Sequence, residues 1–198
     1  GPLVVATDNS LYTFAANQPR AEWEASQFGF LSLFNAGIAG PRSAVNVNSD
    51  LLFISGDGQI RSLSMGQSEQ TRWGTAPISR EVNDWLSAGE RSLMKYSVAA
   101  TFGNYILFTA RPFLTRAYEA PGVPVFDVAF RGIVAMELDN VSGMGETARP
   151  AWAGLWQGIC PMEICSGFYN GSQQLHIWSK DPGNVNNLYL VTDESDYD

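Results

Sequence analysis

The stretch Ser43-Ala-Val-Asn-Val-Asn-Ser-Asp-Leu-Leu-Phe-Ile-Ser-Gly-Asp-Gly-Gln-Ile-Arg-Ser-Leu63 holds three short apolar runs separated by two tight-turn signatures. Asn48-Ser49-Asp50 and Gly56-Asp57-Gly58 are small polar or Gly residues that tolerate positive φ and reverse a chain within a few residues. The pattern predicts a β-meander. Between the turns, Leu51-Leu52-Phe53-Ile54 is apolar at every position, as a strand is when it is covered on both faces.

The rest of the chain repeats this unit. Leu3–Ala6 and Leu11–Phe14 flank an Asp8-Asn9-Ser10 turn, and Ala21-Glu-Trp-Glu24 follows as a third strand ending near Trp23. Residues 27–40, rich in Phe and Leu but carrying Gly29, Gly37 and Gly40, read as a connection beneath the sheets. Thr71-Arg-Trp-Gly74 closes the meander with Trp73. Ser79 to Leu86 is the one short inserted helix: Pro77 precedes it, Ser79 is placed to cap it, and Glu81 lies in its first turn. Lys95–Phe102 and Tyr105–Thr109 form the next hairpin about Gly103-Asn104. Arg111 to Val125, with Pro112, Pro121 and Pro124, reads as a long exposed loop.

Two strands are expected over Phe126–Phe130 and Ile133–Leu138, then a polar loop from Asp139 to Arg149, and then Pro150 to Trp156 as a closing segment with two tryptophans. Met162–Tyr169, the Asn170-Gly171 turn, Gln174–Trp178, a turn over Lys180–Asn184 and Asn187–Val191 begin a last group. Residues 192–198 form an acidic tail. Gly1-Pro2 reads as the scar of a cleaved tag, consistent with an excised piece of something larger, and residues 3–191 as one domain.

Composition supports the same class. With 198 residues, 45% hydrophobic and 12% aromatic, the chain has enough apolar surface for a substantial core. Only 16% is charged, while Gly (19) and Pro (10) are plentiful, which suits many short strands and turns. The fold class is therefore all-β. A unit of three or four antiparallel strands cannot bury both its faces alone, so units of one internal order stack face to face, most economically about an axis. The expected fold is a β-propeller or propeller segment of antiparallel four-stranded blades, against the alternative of a two-sheet sandwich or barrel. The net charge of −8 argues against nucleic acid as a partner. No run of about 18 apolar residues or charged-then-apolar leader is present, so no membrane partner is expected.

The phrases Ser43 to Leu63, Ala76-Pro-Ile-Ser-Arg-Glu-Val82 and the Trp152/Trp156 segment resemble the β-propeller regions of tailed-bacteriophage virion proteins. There, a strand ending in an Asp-Gly-Ile-Arg-Ser-Leu phrase precedes a Pro-Ile-Ser helix start. A later blade carries tryptophans after a strand like the one ending Glu137-Leu138-Asp139. This chain departs from the pattern in its long Arg111–Val125 segment and in Gln59, which intervenes before Ile60. The resemblance implies a virion setting in the tail or its connector, after synthesis in the host cytoplasm. It implies an oligomeric assembly with other virion proteins, and it transfers no catalytic residue.

Chemistry-bearing constellations are scarce, and catalytic, cofactor and metal sites are all read as none. His176 is the only histidine and lies in a strand pattern, with no Gly-x-Ser-x-Gly elbow in the chain. Cys160 and Cys165 have no second pair for a zinc site; they read as two packed thiols, although a disulfide between them is geometrically open. The Gly143-Met-Gly145 phrase lacks the context of a dinucleotide loop, and the acidic tail lacks the Gly and distal Glu of a calcium loop. Asn140-Val-Ser142 and Asn170-Gly-Ser172 match the glycosylation pattern only as short motifs. Glu81, Asp84, Glu90, Asp127 and Glu137 are of the type that glycoside cleavage needs in pairs, but sequence does not pair them. The expected function is a non-enzymatic structural scaffold of a phage tail, with Leu3–Ala6 or Asn187–Val191 as edges for another chain. The alternative is a carbohydrate-binding or carbohydrate-cleaving propeller that recognises a host-surface glycan, with Trp152 and Trp156 as binding residues. A nucleotide or metal enzyme is the third and weakest reading.

Overall fold

The computed structural model describes residues 3–14, 31–34, 36–48, 50–68, 77–86, 88–116, 126–138, 150–181 and 185–192. Among them, thirteen strands form four antiparallel sheets. The first contains β1 (Leu3–Ala6), β2 (Leu11–Phe14) and β3 (Leu31–Phe34), and the second β4 (Ala44–Val47), β5 (Asp50–Ile54) and β6 (Ile60–Ser62). The third contains β7 (Ala99–Phe102), β8 (Tyr105–Arg116), β9 (Phe126–Glu137) and β10 (Trp152–Trp156). The fourth contains β11 (Pro161–Tyr169), β12 (Ser172–Asp181) and β13 (Val185–Thr192). Within every sheet, spatial order follows chain order, so each is a simple meander. The all-β reading holds; among the described residues the sheets have three or four strands and form no closed ring.

Turn chemistry produces these meanders. Asn48 adopts φ 48° between β4 and β5, and Asn170-Gly171 takes φ 49° and 84°. Positive φ at both central residues is the requirement of a two-residue hairpin whose twist matches its strands. Ala110 pairs with Gly132 and Tyr105 with Glu137, which keeps β8 and β9 in one continuous register around the central sheet.

The sheets stack in series, with a separate core between each successive pair. Leu11 and Phe53, with Val4, Ala44 and Leu51, fill the space between the first and second sheets. Leu52, Ile54 and Ile60 meet Ile106, Phe108, Val134 and Met136 between the second and third. Leu107, Ile133 and Ala135 meet Ile164, Leu175 and Ile177 between the third and fourth. Strand alternation explains the arrangement, since neighbours in β5, β8 and β9 point to opposite faces and both faces are dry. A two-sheet sandwich would show one core where three are present.

Several local expectations change. Residues 27–40 include β3 as well as connection, while Ala21–Glu24, Trp23, Trp73, Asp139–Arg149 and the tail from Asp193 lie outside the described residues. The Lys95–Phe102 strand is only β7; a 3₁₀ helix over Arg91–Tyr96 precedes it, burying Leu93 and Met94 side by side. Arg111 to Arg116 is strand, with Pro112 opposite Phe130. Proline is tolerated there because β7 has ended and no strand on that side asks for its missing N–H; Glu90 donates to its carbonyl instead. The expected inserted helix is a 3₁₀ turn over Arg80–Val82 running into α2 (Asn83–Leu86), and an unforeseen α1 spans Leu63–Ser68. Ser79 makes no cap: its hydroxyl accepts the Ile60 N–H at 3.0 Å, tying that turn to β6. The two strands expected from Phe126 to Leu138 are one, β9.

The turn before β4 locks the second sheet to the third. The buried Ser43 hydroxyl donates to the Gly40 carbonyl at 2.8 Å and accepts its N–H at 3.0 Å, and the Arg42 carbonyl accepts the Ala99 N–H at 2.8 Å. Gly40 lies so close to the 3₁₀ helix that a Cβ there would run into the Lys95 carbonyl oxygen. Gly40→Ala is therefore expected to destabilise the fold by about 1–3 kcal/mol, as overpacking does, read as a lower urea midpoint at unchanged m-value.

Candidate functional site

Five segments remote in sequence converge on one cavity of about 410 Å³, lined by Arg42, Tyr96, Phe126, Asp127, Val128, Met162, Glu163 and Trp178. Arg42 comes from the turn before β4 and Tyr96 from the end of the 3₁₀ helix, whose close is fixed by the Ser97 N–H donating to Met94. Phe126, Asp127 and Val128 begin β9, and Met162 and Glu163 begin β11. Trp178 is opposite Glu163 across the β11–β12 ladder, so the two share a face. Ile164 turns inward to the core, which sends its neighbour Glu163 outward.

Two ion pairs organise the charged groups. Arg42 bonds Glu163, joining the second sheet to the fourth. Lys180, with only 3% of its side chain exposed, reaches Asp127 at 3.5 Å and ties β12 to β9. A buried ammonium needs such an anion, because desolvation without a partner costs several kcal/mol. The Cys160 N–H donating to the Ser179 hydroxyl at 3.1 Å, and the Lys180 N–H donating to the Cys160 carbonyl at 2.9 Å, fix this end of β12.

The residues expected from sequence are distributed differently. Trp152 and Trp156 are half-buried in β10 and face different cores, Trp152 toward the second–third interface and Trp156 toward the third–fourth. They are not brought together. Of the acidic candidates, Asp127 lines the cavity, but its neighbour there is Glu163, which the sequence reading did not single out. Glu81 and Asp84 lie on the helical turns, Glu90 accepts the Ser92 hydroxyl at 2.8 Å, and Glu137 ends β9. His176 lies between Cys165 and Leu190 on the outer face of the fourth sheet. Cys160 and Cys165 form no disulfide; Cys160 is half-buried, whereas Cys165 is exposed and not packed as expected, because it follows the inward-facing Ile164. Among the described residues, no group of three or more His, Cys, Asp or Glu could hold a metal ion, and no helix is long and apolar enough to cross a membrane. No protein-family model matches the sequence, and no curated protein matches it.

A second polar cluster braces the β5–β6 turn. Asp57 accepts from the Ser55 hydroxyl, from Arg61 Nη2 at 2.9 Å and from the Gln59 N–H at 3.4 Å. Burial by itself pushes the Asp57 carboxyl up and is the largest single influence. The Ser55 and Arg61 hydrogen bonds, the Arg61 charge and the Gln59 N–H together outweigh it and hold the group below its ordinary value. A carboxyl whose folded pKa lies below its unfolded one stabilises fully above the ordinary aspartate pKa of about 4, and loses that stabilisation as pH falls through the lowered value. Asp57→Asn should therefore unfold at lower urea than the wild type near neutral pH, with the gap between their midpoints closing as pH is taken below about 4.

Proposed function

We propose that the chain is a non-enzymatic structural protein of a bacteriophage tail, whose four sheets are consecutive blades of a β-propeller and whose role is to hold neighbouring virion subunits. The supporting observation is the outer face of the fourth sheet. Trp178 pairs across the ladder with Leu188, and His176 with Leu190, so these side chains share the face opposite to the Ile164–Leu175–Ile177 core. Leu188 is 66% and Leu190 53% exposed, and the hairpin tip adds exposed Tyr169 on the same face. A contiguous apolar face of this kind marks an interaction surface. Among the described residues the three sheet-to-sheet boundaries are apolar sheet against apolar sheet, which makes a β-sheet of another virion subunit the fitting occupant. The resemblance of the Ser43–Leu63 and Ala76–Val82 phrases supplies the virion setting.

The setting is tested on particles of a tailed phage carrying the gene, by mass spectrometry and antibody-gold electron microscopy. The chain is expected in the tail, and its absence from purified particles would overturn the reading. The surface is tested by Leu188→Lys/Leu190→Lys, expected to lower incorporation into particles at least tenfold while changing the isolated chain's stability by no more than about 0.5 kcal/mol, as exposed substitutions do.

A further inference from the structure

We propose that the cavity between Tyr96, Phe126 and Trp178 is a binding site for a neutral saccharide. Three aromatic rings from three separate elements meet at one depression, and all are offered to solvent, at 42%, 55% and 52% exposure. Core packing does not account for them. Their neighbours Val98, Ala129 and Ile177 are buried, so the chain had dry positions within three residues of each ring. A pyranose ring has an apolar C–H face and a rim of hydroxyls. Amphipathic aromatic rings suit the first, and the second suits groups that accept or donate in pairs, a carboxylate and a guanidinium. Asp127, Glu163 and Arg42 supply those groups around the same depression.

Charge selects among ligands. Arg42 is matched by Glu163 and Lys180 by Asp127, so the two cations that bond the site's carboxylates each carry an anion, while the Lys95 ammonium lies over the Tyr96 ring, 5.2 Å from its centroid. With a net charge of −8 on the whole chain, an anionic ligand meets repulsion and no surplus cation at these pairs. A cationic ligand would have to displace a guanidinium or a buried ammonium from its carboxylate. A polyhydroxylated neutral ligand needs neither, since paired carboxylates retain lone pairs for hydroxyl donors. Lys180 also fixes the geometry, because its buried ammonium holds the Asp127 carboxylate to one side before any ligand arrives. The cavity volume falls within the range of small-ligand sites. The site is distinct from Trp152 and Trp156, which face two other cores.

The test is a glycan array carrying oligosaccharides of glucose, galactose, mannose and N-acetylglucosamine, with sialylated and sulfated glycans as an anionic arm. Any neutral glycan retained is followed by calorimetric titration. Saturable binding to at least one neutral glycan is expected, weakened at least tenfold by Trp178→Ala and by Tyr96→Ala. Both rings are exposed enough for the variants to keep the wild-type circular dichroism spectrum and unfolding midpoint. Should a variant fail that check, Trp178→Phe, which keeps a ring but reduces its area, is expected to weaken binding by a smaller factor. The proposal is overturned if no neutral glycan is retained, if only anionic glycans are, or if folded Trp178 and Tyr96 variants bind as the wild type does. Trp178 belongs to the outer face of the fourth sheet as well, so the scaffold reading is tested through Leu188 and Leu190, outside the cavity lining, with virion incorporation as its separate readout.

Discussion

A β-strand turns successive side chains to opposite sides, and in β5 both sides are dry: Leu52, Phe53 and Ile54 are all fully buried. Such a strand demands a neighbour above and below. Leu52 and Ile54 meet the third sheet, while Phe53 meets the first. The same demand in β8 and β9, where Phe108 and Leu107 point to different cores, carries the stacking on to the fourth sheet. Burying a large aliphatic or aromatic side chain is worth about 1.5–3 kcal/mol, so each two-faced strand joins two boundaries that would otherwise be wet. The serial order of sheets follows from these alternating faces.

Polar ties then set how the sheets sit on one another. The Thr109 hydroxyl is within bonding distance of the Val98 N–H and carbonyl, closing β7 against β8 deep in the structure. Gln173 donates to the Thr101 carbonyl at 3.2 Å and accepts the Gly103 N–H at 2.9 Å, clasping the β7–β8 turn to the fourth sheet. Lys180–Asp127 acts at the other end of the same boundary, and Arg42–Glu163 ties the turn before β4 to the fourth sheet beside it. An exposed pair such as Arg42–Glu163 contributes little to stability; the shared effect of the two pairs is positional, since they gather the side chains of four remote segments about one cavity.

What could be read from the sequence was whatever depends on near neighbours. The meander over Ser43–Leu63, the Gly103-Asn104 and Asn170-Gly171 turns, and the closing strand over Trp152–Trp156 are written in turn residues and short apolar runs. What could not be read depends on partners far along the chain. Pro112 suggests a loop until it is known that β7 stops short of it. Ser79 suggests a helix cap, but the N–H it accepts belongs to Ile60, 19 residues away. Glu163 was passed over because its partner Arg42 is 121 residues distant. Trp178 looked like any strand tryptophan. The alternation around Ile177 was the one available signal that it turns outward, and only the fold shows Tyr96 and Phe126 beside it.

Because each apolar core lies between one sheet and the next, the structure has something of the character of a one-dimensional stack. Among the described residues the first and fourth sheets each have one cooperative boundary where the second and third have two. Opening events should therefore begin at the two end sheets, β1–β3 and β11–β13, and travel inward, leaving the amides of β5 and β9 as the slowest to exchange with solvent. A molecule built in this way loosens from its ends while its middle stays shut.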